Sequence, residues 1–160
     1  MNDATMTVPE AMEAALAHHK SGELEAAARI YDRVVELHPD NWDALHLLGV
    51  VFHQIGEHRK AVKLITKAIG LGPDGAVLRL SQARALEGCG RVADAEKSCG
   101  KALKLAPGSA DALTLLAHLR TRLGRFDDAA QTLDKMLRQE PDRVDFTVAQ
   151  GPCFAGFGRL

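Results

Sequence analysis

Residues 42–75, WDALHLLGVVFHQIGEHRKAVKLITKAIGLGPDG, decide the fold of this chain. Their apolar side chains recur at i, i+3, i+4 and i+7 spacing in two blocks, as they do along amphipathic α-helices. Gly56 separates the blocks, and because glycine tolerates a positive φ, it ends the first helix. Pro73 follows the second block and cannot continue the interior of a helix. The stretch therefore predicts an antiparallel pair of α-helices.

The landmarks of this stretch return every 34 residues along the chain. They are proline at Pro39, Pro73, Pro107 and Pro141, glycine at Gly22, Gly56, Gly90, Gly124 and Gly158, and alanine at Ala27, Ala61, Ala95 and Ala129. Three residue types in one register predict four units, at residues 8–41, 42–75, 76–109 and 110–143. One helix pair cannot bury its own apolar faces, whereas stacked pairs can. The sequence therefore predicts an all-α fold, a right-handed α-solenoid of antiparallel helix pairs.

Composition and charge argue against several classes of protein. The 160 residues are 46% hydrophobic and carry 20 basic and 21 acidic groups, for a formal net charge of −1. That balance gives no electrostatic case for nucleic acid, and no apolar run approaches the roughly 20 residues needed to cross a bilayer. The first residues lack the basic and apolar regions of a secretory signal. Since the three cysteines are not spaced as zinc ligands, a reducing cytoplasmic setting is the simplest expectation.

The 34-residue units resemble the tetratricopeptide repeat. That family places a small residue at unit position 8, a large one at 11, glycine at 15, alanine at 20, an aromatic at 24, a small residue at 27 and proline at 32. In the second unit these positions hold Gly49, Phe52, Gly56, Ala61, Ile65, Ala68 and Pro73. The departures are Val34 and Met136 at position 27 and Arg120 at position 11. We expect them to loosen the local packing without changing the fold.

By this resemblance, the first helix of each unit lines a concave groove, mainly through unit positions 2, 5, 9, 12 and 13. The residues at those positions are Met12, Leu16, His19 and Lys20, then Asp43, His46, Val50, His53 and Gln54, then Val77, Leu80, Arg84 and Glu87, and finally Asp111, Thr114, His118, Thr121 and Arg122. Their aliphatic, imidazole and cationic groups suit an extended or helical peptide segment. We therefore expect a protein or peptide partner, no nucleic acid and no insertion into a membrane.

Two specialised forms of the family are not matched. Chaperone-binding repeats clamp a C-terminal carboxylate with lysine and asparagine, where this chain has Met12 and Leu16. The position of the asparagine ladder in O-GlcNAc transferases holds Glu13, Leu47, Ser81 and Leu115. The sequence is nevertheless similar to the N-terminal repeat arms of bacterial glycosyltransferase-like or sulfotransferase-like proteins. Three functions stay open: a non-catalytic interaction module, a regulatory or substrate-docking arm of a larger enzyme, and a self-assembling scaffold.

The two ends of the chain fall outside the four units. Residues 1–7 are predicted to be disordered. Residues 144–160, VDFTVAQGPCFAGFGRL, begin a fifth unit, which is either a C-terminal capping helix or the first helix of an incomplete unit. Phe154 and Phe157 are apolar where a cap is polar, which favours the incomplete unit. In that reading the segment is frayed or joins a homo-oligomer.

No catalytic, metal or cofactor site is predicted. His46 and His53 are two helical turns apart, about 10 Å, which is too far to share one ion without further ligands. The groove histidines are therefore expected to be polar lining residues. The GCGRVA stretch at residues 88–93 matches a dinucleotide-binding pattern by coincidence, because the residues before it have a helical and not a strand pattern. Cys89 and Cys99 are expected to be reduced packing residues.

Charge is distributed unevenly along the chain. Residues 8–41 carry 3 basic and 7 acidic groups, whereas residues 76–109 carry 6 basic and 3 acidic groups. Such a gradient favours head-to-tail association of copies. Scattered solvated faces are the simpler explanation of the gradient, and the sequence leaves both interpretations open.

Overall fold

A computed structural model describes residues 6–139, which form eight α-helices and no β-strand. In chain order the helices are α1 (Val8–Lys20), α2 (Leu24–Leu37), α3 (Trp42–Ile55), α4 (His58–Leu71), α5 (Ala76–Gly88), α6 (Val92–Leu105), α7 (Ala110–Arg122) and α8 (Phe126–Gln139). The result is an all-α helical repeat solenoid, as the sequence predicts. The expected fifth unit at 144–160 lies outside the described residues, as do residues 1–5 of the segment expected to be disordered.

The helix ends follow from residues that recur in the sequence. Gly56 has φ of 96° and its N–H bonds to the carbonyl of His53, so it closes α3 in a conformation that favours glycine. At the start of the same helix, the Asn41 side chain accepts a hydrogen bond of 3.0 Å from the N–H of Ala44. That bond satisfies one of the donors that the first turn of a helix leaves free.

Small residues let the two helices of each pair approach closely. At Gly49 an added Cβ would lie 2.6 Å from Cγ1 of Ile65 and 3.3 Å from the carbonyl oxygen of Ala61, both on α4. The small residues at positions 8 and 20 of all four units are buried, namely Ala15, Gly49, Ala83, Ala117, Ala27, Ala61, Ala95 and Ala129. They form the contact line of each pair, and larger side chains would separate the helices.

The first helices of successive pairs form one side of the solenoid. α3 contacts α5 and α5 contacts α7, whereas the second helices of neighbouring pairs make fewer contacts with each other. Closer spacing on one side makes that side concave. The first helices therefore line the concave side, and the second helices form the convex side.

The three departures from the repeat pattern are each accommodated, and the expected loosening of the packing stays a prediction. Val34 is 4% exposed and Met136 is 6% exposed, so both are buried, although each also lines a cleft. The guanidinium of Arg120 donates to the carboxylate of Glu96 at 3.1 Å and to the hydroxyl of Thr132 at 2.6 Å. A half-buried arginine is tolerated at this apolar position because Nε and Nη1 of its guanidinium donate to Glu96, Thr132 and the carbonyl of Asp128.

Candidate protein-binding groove

The structure places the predicted groove residues at three depths. Exposed side chains belong to Lys20, Asp43, Gln54, Val77, Arg84, Asp111, His118 and Arg122. Half-buried side chains belong to Met12, Leu16, His19, Val50, His53, Leu80, Glu87, Thr114 and Thr121. His46 alone among the predicted residues is buried, with 7% of its surface exposed. The face thus presents half-buried aliphatic side chains between exposed polar ones.

Polar side chains bridge successive first helices at a constant offset of 35 residues. The bridging pairs are His19 Nε2 with Gln54 Oε1 at 2.8 Å, His46 Nε2 with Ser81 Oγ at 3.0 Å, and Arg122 Nη1 with Glu87 Oε1 at 3.1 Å. Each pair joins one unit position to the next position of the following unit. A comparison of equal unit positions, at 34-residue spacing, does not predict these pairs.

His46 is a packing residue and does not line the groove, which corrects the expectation from the sequence. Its ring lies between α3 and α5 and bonds to Ser81. Burial lowers its pKa, and the nearby carboxylate of Asp43 only partly opposes that shift. A partner in the groove therefore cannot reach this imidazole without separating the two helices.

His53 meets a partner that the repeat pattern does not predict. The corresponding position of the next unit is Gly88, which has no side chain. The ring of His58, the first residue of α4, fills that space, since a Cβ on Gly88 would lie 2.5 Å from it. The Nδ1 atoms of His53 and His58 are 3.1 Å apart. The pKa of His53 is lowered mainly by burial and further by the neighbouring His58 ring.

A cleft of about 290 Å³ opens at the C-terminal end of the face. Three helices supply its lining, which consists of Arg84, Ala110, Asp111, Thr114, Leu115, His118 and Met136. Beside it, Glu87 accepts from His118 Nε2 at 3.0 Å as well as from Arg122. The Arg84 guanidinium lies 3.8 Å from Asp111 and keeps about half of its side chain exposed. Met136 was missed from the sequence because it lies on α8, a second helix.

Metal-binding clusters and reactive thiols were sought among the side chains of residues 6–139. None of the His, Cys, Asp and Glu side chains between residues 6 and 139 form a group of three that could hold a metal ion. Cys89 and Cys99 are free thiols. Burial raises the pKa of Cys99 to about 11, and its Sγ donates to the carbonyl of Ala112, so it is a packing residue. In the same part of the chain no helix is long and apolar enough to span a bilayer.

Comparison with protein-family models identifies the repeat. One tetratricopeptide repeat model matches residues 12–76 and a second matches residues 86–149. Together they account for most of the chain. No curated protein sequence matches it significantly.

Solved structures of similar shape are helical repeat proteins. MamA from Desulfovibrio magneticus RS-1 is 19% identical with a TM-score of 0.80, covering 84% of this chain and 76% of its own. MamA from AMB-1 is 23% identical with a TM-score of 0.80, covering 88% and 83%. YrrB, described as a TPR protein with an unusual peptide-binding site, is 20% identical with a TM-score of 0.73, covering 82% and 68%. At these identities the likeness concerns the fold.

Proposed function

Because the chain belongs to the tetratricopeptide repeat family and is a protein-interaction module, we propose that it binds a peptide segment of a protein partner along its first helices. The observation that carries the proposal is a row of half-buried aliphatic side chains on the concave side. Met12, Leu16, Val50 and Leu80 lie on three successive first helices and stay partly open to solvent. Apolar side chains on a concave face are the usual anchors for a bound segment.

The polar groups around this row limit what the segment can be. His19 is bonded to Gln54, and Arg122 is bonded to Glu87. These side chains therefore offer fixed hydrogen-bonding groups without an uncompensated charge. The cleft beside Arg84 adds a recess wide enough for one side chain of the segment. We propose a segment with two or three apolar side chains and a polar one seated in that cleft. No chemistry is assigned to the module, and we propose that it acts without catalysis.

A displayed peptide library, followed by fluorescence anisotropy with the selected peptides, tests the proposal. The groove variant is Val50→Asp with Leu80→Asp, and we expect it to weaken binding at least tenfold. The matched control is Leu37→Asp with Leu71→Asp, which places the same charges on exposed leucines of the second helices. Because Leu80 packs against the core, circular dichroism must show that the groove variant is folded.

Arg84→Glu serves as a second groove variant, since about half of the Arg84 side chain is exposed. We expect it to change which peptides are selected. Peptides that bind the parent protein and both groove variants equally would place the interaction elsewhere on the molecule.

A further inference from the structure

The convex side carries basic residues at two fixed positions of each second helix. Unit positions 22 and 26 hold Arg29 and Arg33, Lys63 and Lys67, Lys97 and Lys101, and Gln131 and Lys135. All eight side chains are exposed. Since positions four apart in a helix lie on one face about 6 Å from each other, each second helix points two such groups outward. Seven of the eight groups are cations.

The two middle helices concentrate this charge. Beside the four lysines at those positions, Arg59 on α4 and Lys104 on α6 are also exposed. We call the six residues Arg59, Lys63, Lys67, Lys97, Lys101 and Lys104 the basic patch. Thr66, Gly70 and Ala93 are exposed between these cations, Gly100 is half-buried, and the exposed Leu71 and Leu105 follow one turn after Lys67 and Lys101 at the ends of the two helices. The middle of the patch therefore has small, uncharged residues between its lysine stems.

The carboxylates near the patch are engaged by other cations. Glu57 lies 3.4 Å from Lys60, and Glu96 is turned inward to Arg120 and Arg125. Two carboxylates still act on lysines of the patch, but an arginine holds each of them more closely. Asp94 lies 3.7 Å from Lys97 but is held more closely by Arg91 at 2.7 Å. Asp74 acts on Lys101 only at longer range while it binds Arg79 at 2.6 Å.

The outer second helices differ from the middle ones. Glu25, Asp32 and Glu36 accompany the two arginines of α2, and Asp127 and Asp134 accompany the lysine of α8. Arg33 lies 3.0 Å from Glu36 within its own helix. The positive potential is therefore confined to the centre of the convex side, and the net charge of the chain, −1, conceals it.

We propose that the basic patch docks the protein onto a bilayer containing anionic lipids. Clusters of four to eight basic residues on a helical surface attract such membranes, and each one strengthens binding about fivefold. Five of the six cations are lysines, whose point charges suit a diffuse layer of headgroups, whereas paired contacts with nucleic-acid phosphates favour arginine. On α4 and α6 the outward positions hold no aromatic ring or side-chain amide for stacking on bases or reading them.

Geometry supports a flat partner. A convex side touches a plane at its centre, which is where the patch lies, while the acid-bearing outer helices curve away. An added Cβ on Gly70 or Gly100 would have no atom within 4 Å, so nothing protrudes there between the lysines. Contact at this side leaves the concave groove open, so the docking does not depend on the proposed peptide binding.

Sedimentation with lipid vesicles tests the docking. We expect the protein to pellet with vesicles of phosphatidylserine and phosphatidylcholine, to stay in solution with phosphatidylcholine alone, and to be released by 0.5 M salt. The variant is Lys63→Glu with Lys101→Glu, which should lower the affinity about 25-fold or more. The matched control is Arg29→Glu with Arg33→Glu, which changes the net charge equally and should cost less than about fivefold.

Three results would overturn the docking. They are no pelleting with phosphatidylserine vesicles, equal losses in the two charge-reversal variants, and tighter binding to a 20-base-pair DNA duplex than to the vesicles at the same salt concentration. If the charge-reversed protein does not fold, Lys63→Gln with Lys101→Gln replaces it, with Arg29→Gln and Arg33→Gln as its control. The two lysine-to-glutamine changes should then lower the affinity for the vesicles about tenfold or more, and the two arginine-to-glutamine changes should lower it less.

Discussion

Two interfaces of the same solenoid are closed by different chemistry. At the middle interface, α3 and α4 pack against α5 and α6 through neutral groups, among them the bonded pair of His46 and Ser81. At the C-terminal interface, α5 and α6 pack against α7 and α8, and the carboxylate of Glu96 forms ion pairs with Arg120 and Arg125. Both interfaces are backed by buried alanine and leucine. The repeat geometry thus fixes where helices meet, while individual residues decide whether charge takes part.

This difference predicts separate sensitivities. Removing a carboxylate should matter most at the C-terminal interface, where the half-buried guanidinium of Arg120 has Glu96 as its carboxylate partner. Acid should matter most at the middle interface, where imidazoles are held in a neutral state. Each experiment below acts on one interface and leaves the other as a reference.

The largest expected effect is that of Glu96→Ala. Glu96 is 17% exposed and accepts from Arg120 at 3.1 Å and from Arg125 at 2.8 Å. Its loss leaves the half-buried guanidinium of Arg120 without a carboxylate, whereas the exposed Arg125 keeps Asp128 at 2.8 Å. We expect the free energy of unfolding to fall by about 1–3 kcal/mol. Urea denaturation measures it.

The control for this variant is Asp134→Ala on α8. Asp134 pairs with Arg138 at 2.8 Å on a fully solvated surface. Removal of an exposed ion pair of this type should cost no more than about 0.5 kcal/mol. Equal losses in both variants would mean that the Glu96 network stabilises the C-terminal interface no better than a surface pair.

A smaller effect is expected from acid at the middle interface. Burial is the main cause that lowers the pKa of both His46 and His53, so each is more easily protonated in the unfolded chain. The groups facing His53 are His58 and Arg84, which lower its pKa further, and Glu87, which raises it. Stability is therefore full above the unfolded histidine value of about 6.5 and falls as the pH drops below it.

Unfolding followed at pH 7, 6 and 5 measures this dependence. Carboxylates do not interfere in that range, because those with lowered pKa values, such as Asp74 and Asp94, contribute only below about pH 5. We expect His53→Gln to flatten the slope. The matched control is His38→Gln, at an exposed histidine in the turn before α3. An unchanged slope in the first variant would assign the acid sensitivity elsewhere.

The sequence predicted the frame of this molecule better than its surfaces. The recurrence of Gly56, Ala61 and Pro73 at 34-residue intervals predicted the helix pairs, because glycine and proline act locally and small residues act at one contact line. The burial of His46 was not predictable in this way, since it depends on Ser81 of the next unit. His58 was missed for a similar reason, as its place is created by the absence of a side chain at Gly88.

Charge was the other property that the sequence concealed. A sum over the chain cancels the lysines of α4 and α6 against acids that the fold places on other faces or pairs internally. Only the register of second-helix positions 22 and 26 separates the two sets, and a count of charges for each unit does not show it. Packing residues repeat because every unit shares one geometry, whereas surface residues are free to differ from unit to unit.

The smallest effect expected at the two interfaces concerns the N-terminal caps of α5 and α7. Ser109 caps α7, where its Oγ accepts from the N–H of Ala112 at 3.3 Å, whereas the same position before α5 is Gly75, which has no side-chain cap. Gly75 is extended, with φ of −125°, and the nearest atoms to an added Cβ are 3.8 Å away. Glycine is thus not required there by backbone conformation or by space.

Gly75→Ser should therefore stabilise the protein, by about 0.5–1 kcal/mol. The hydroxyl would accept from the N–H of Leu78, and the loss of glycine reduces the freedom of the unfolded chain. The reverse change at the C-terminal interface, Ser109→Gly, loses the cap and restores that freedom, so it should cost a few tenths to about 1 kcal/mol. Thermal unfolding of both variants measures the difference. If Gly75→Ser lowered the unfolding temperature, the turn before α5 would need glycine for a reason other than its φ, and the two connections would differ in backbone as well as in side chains.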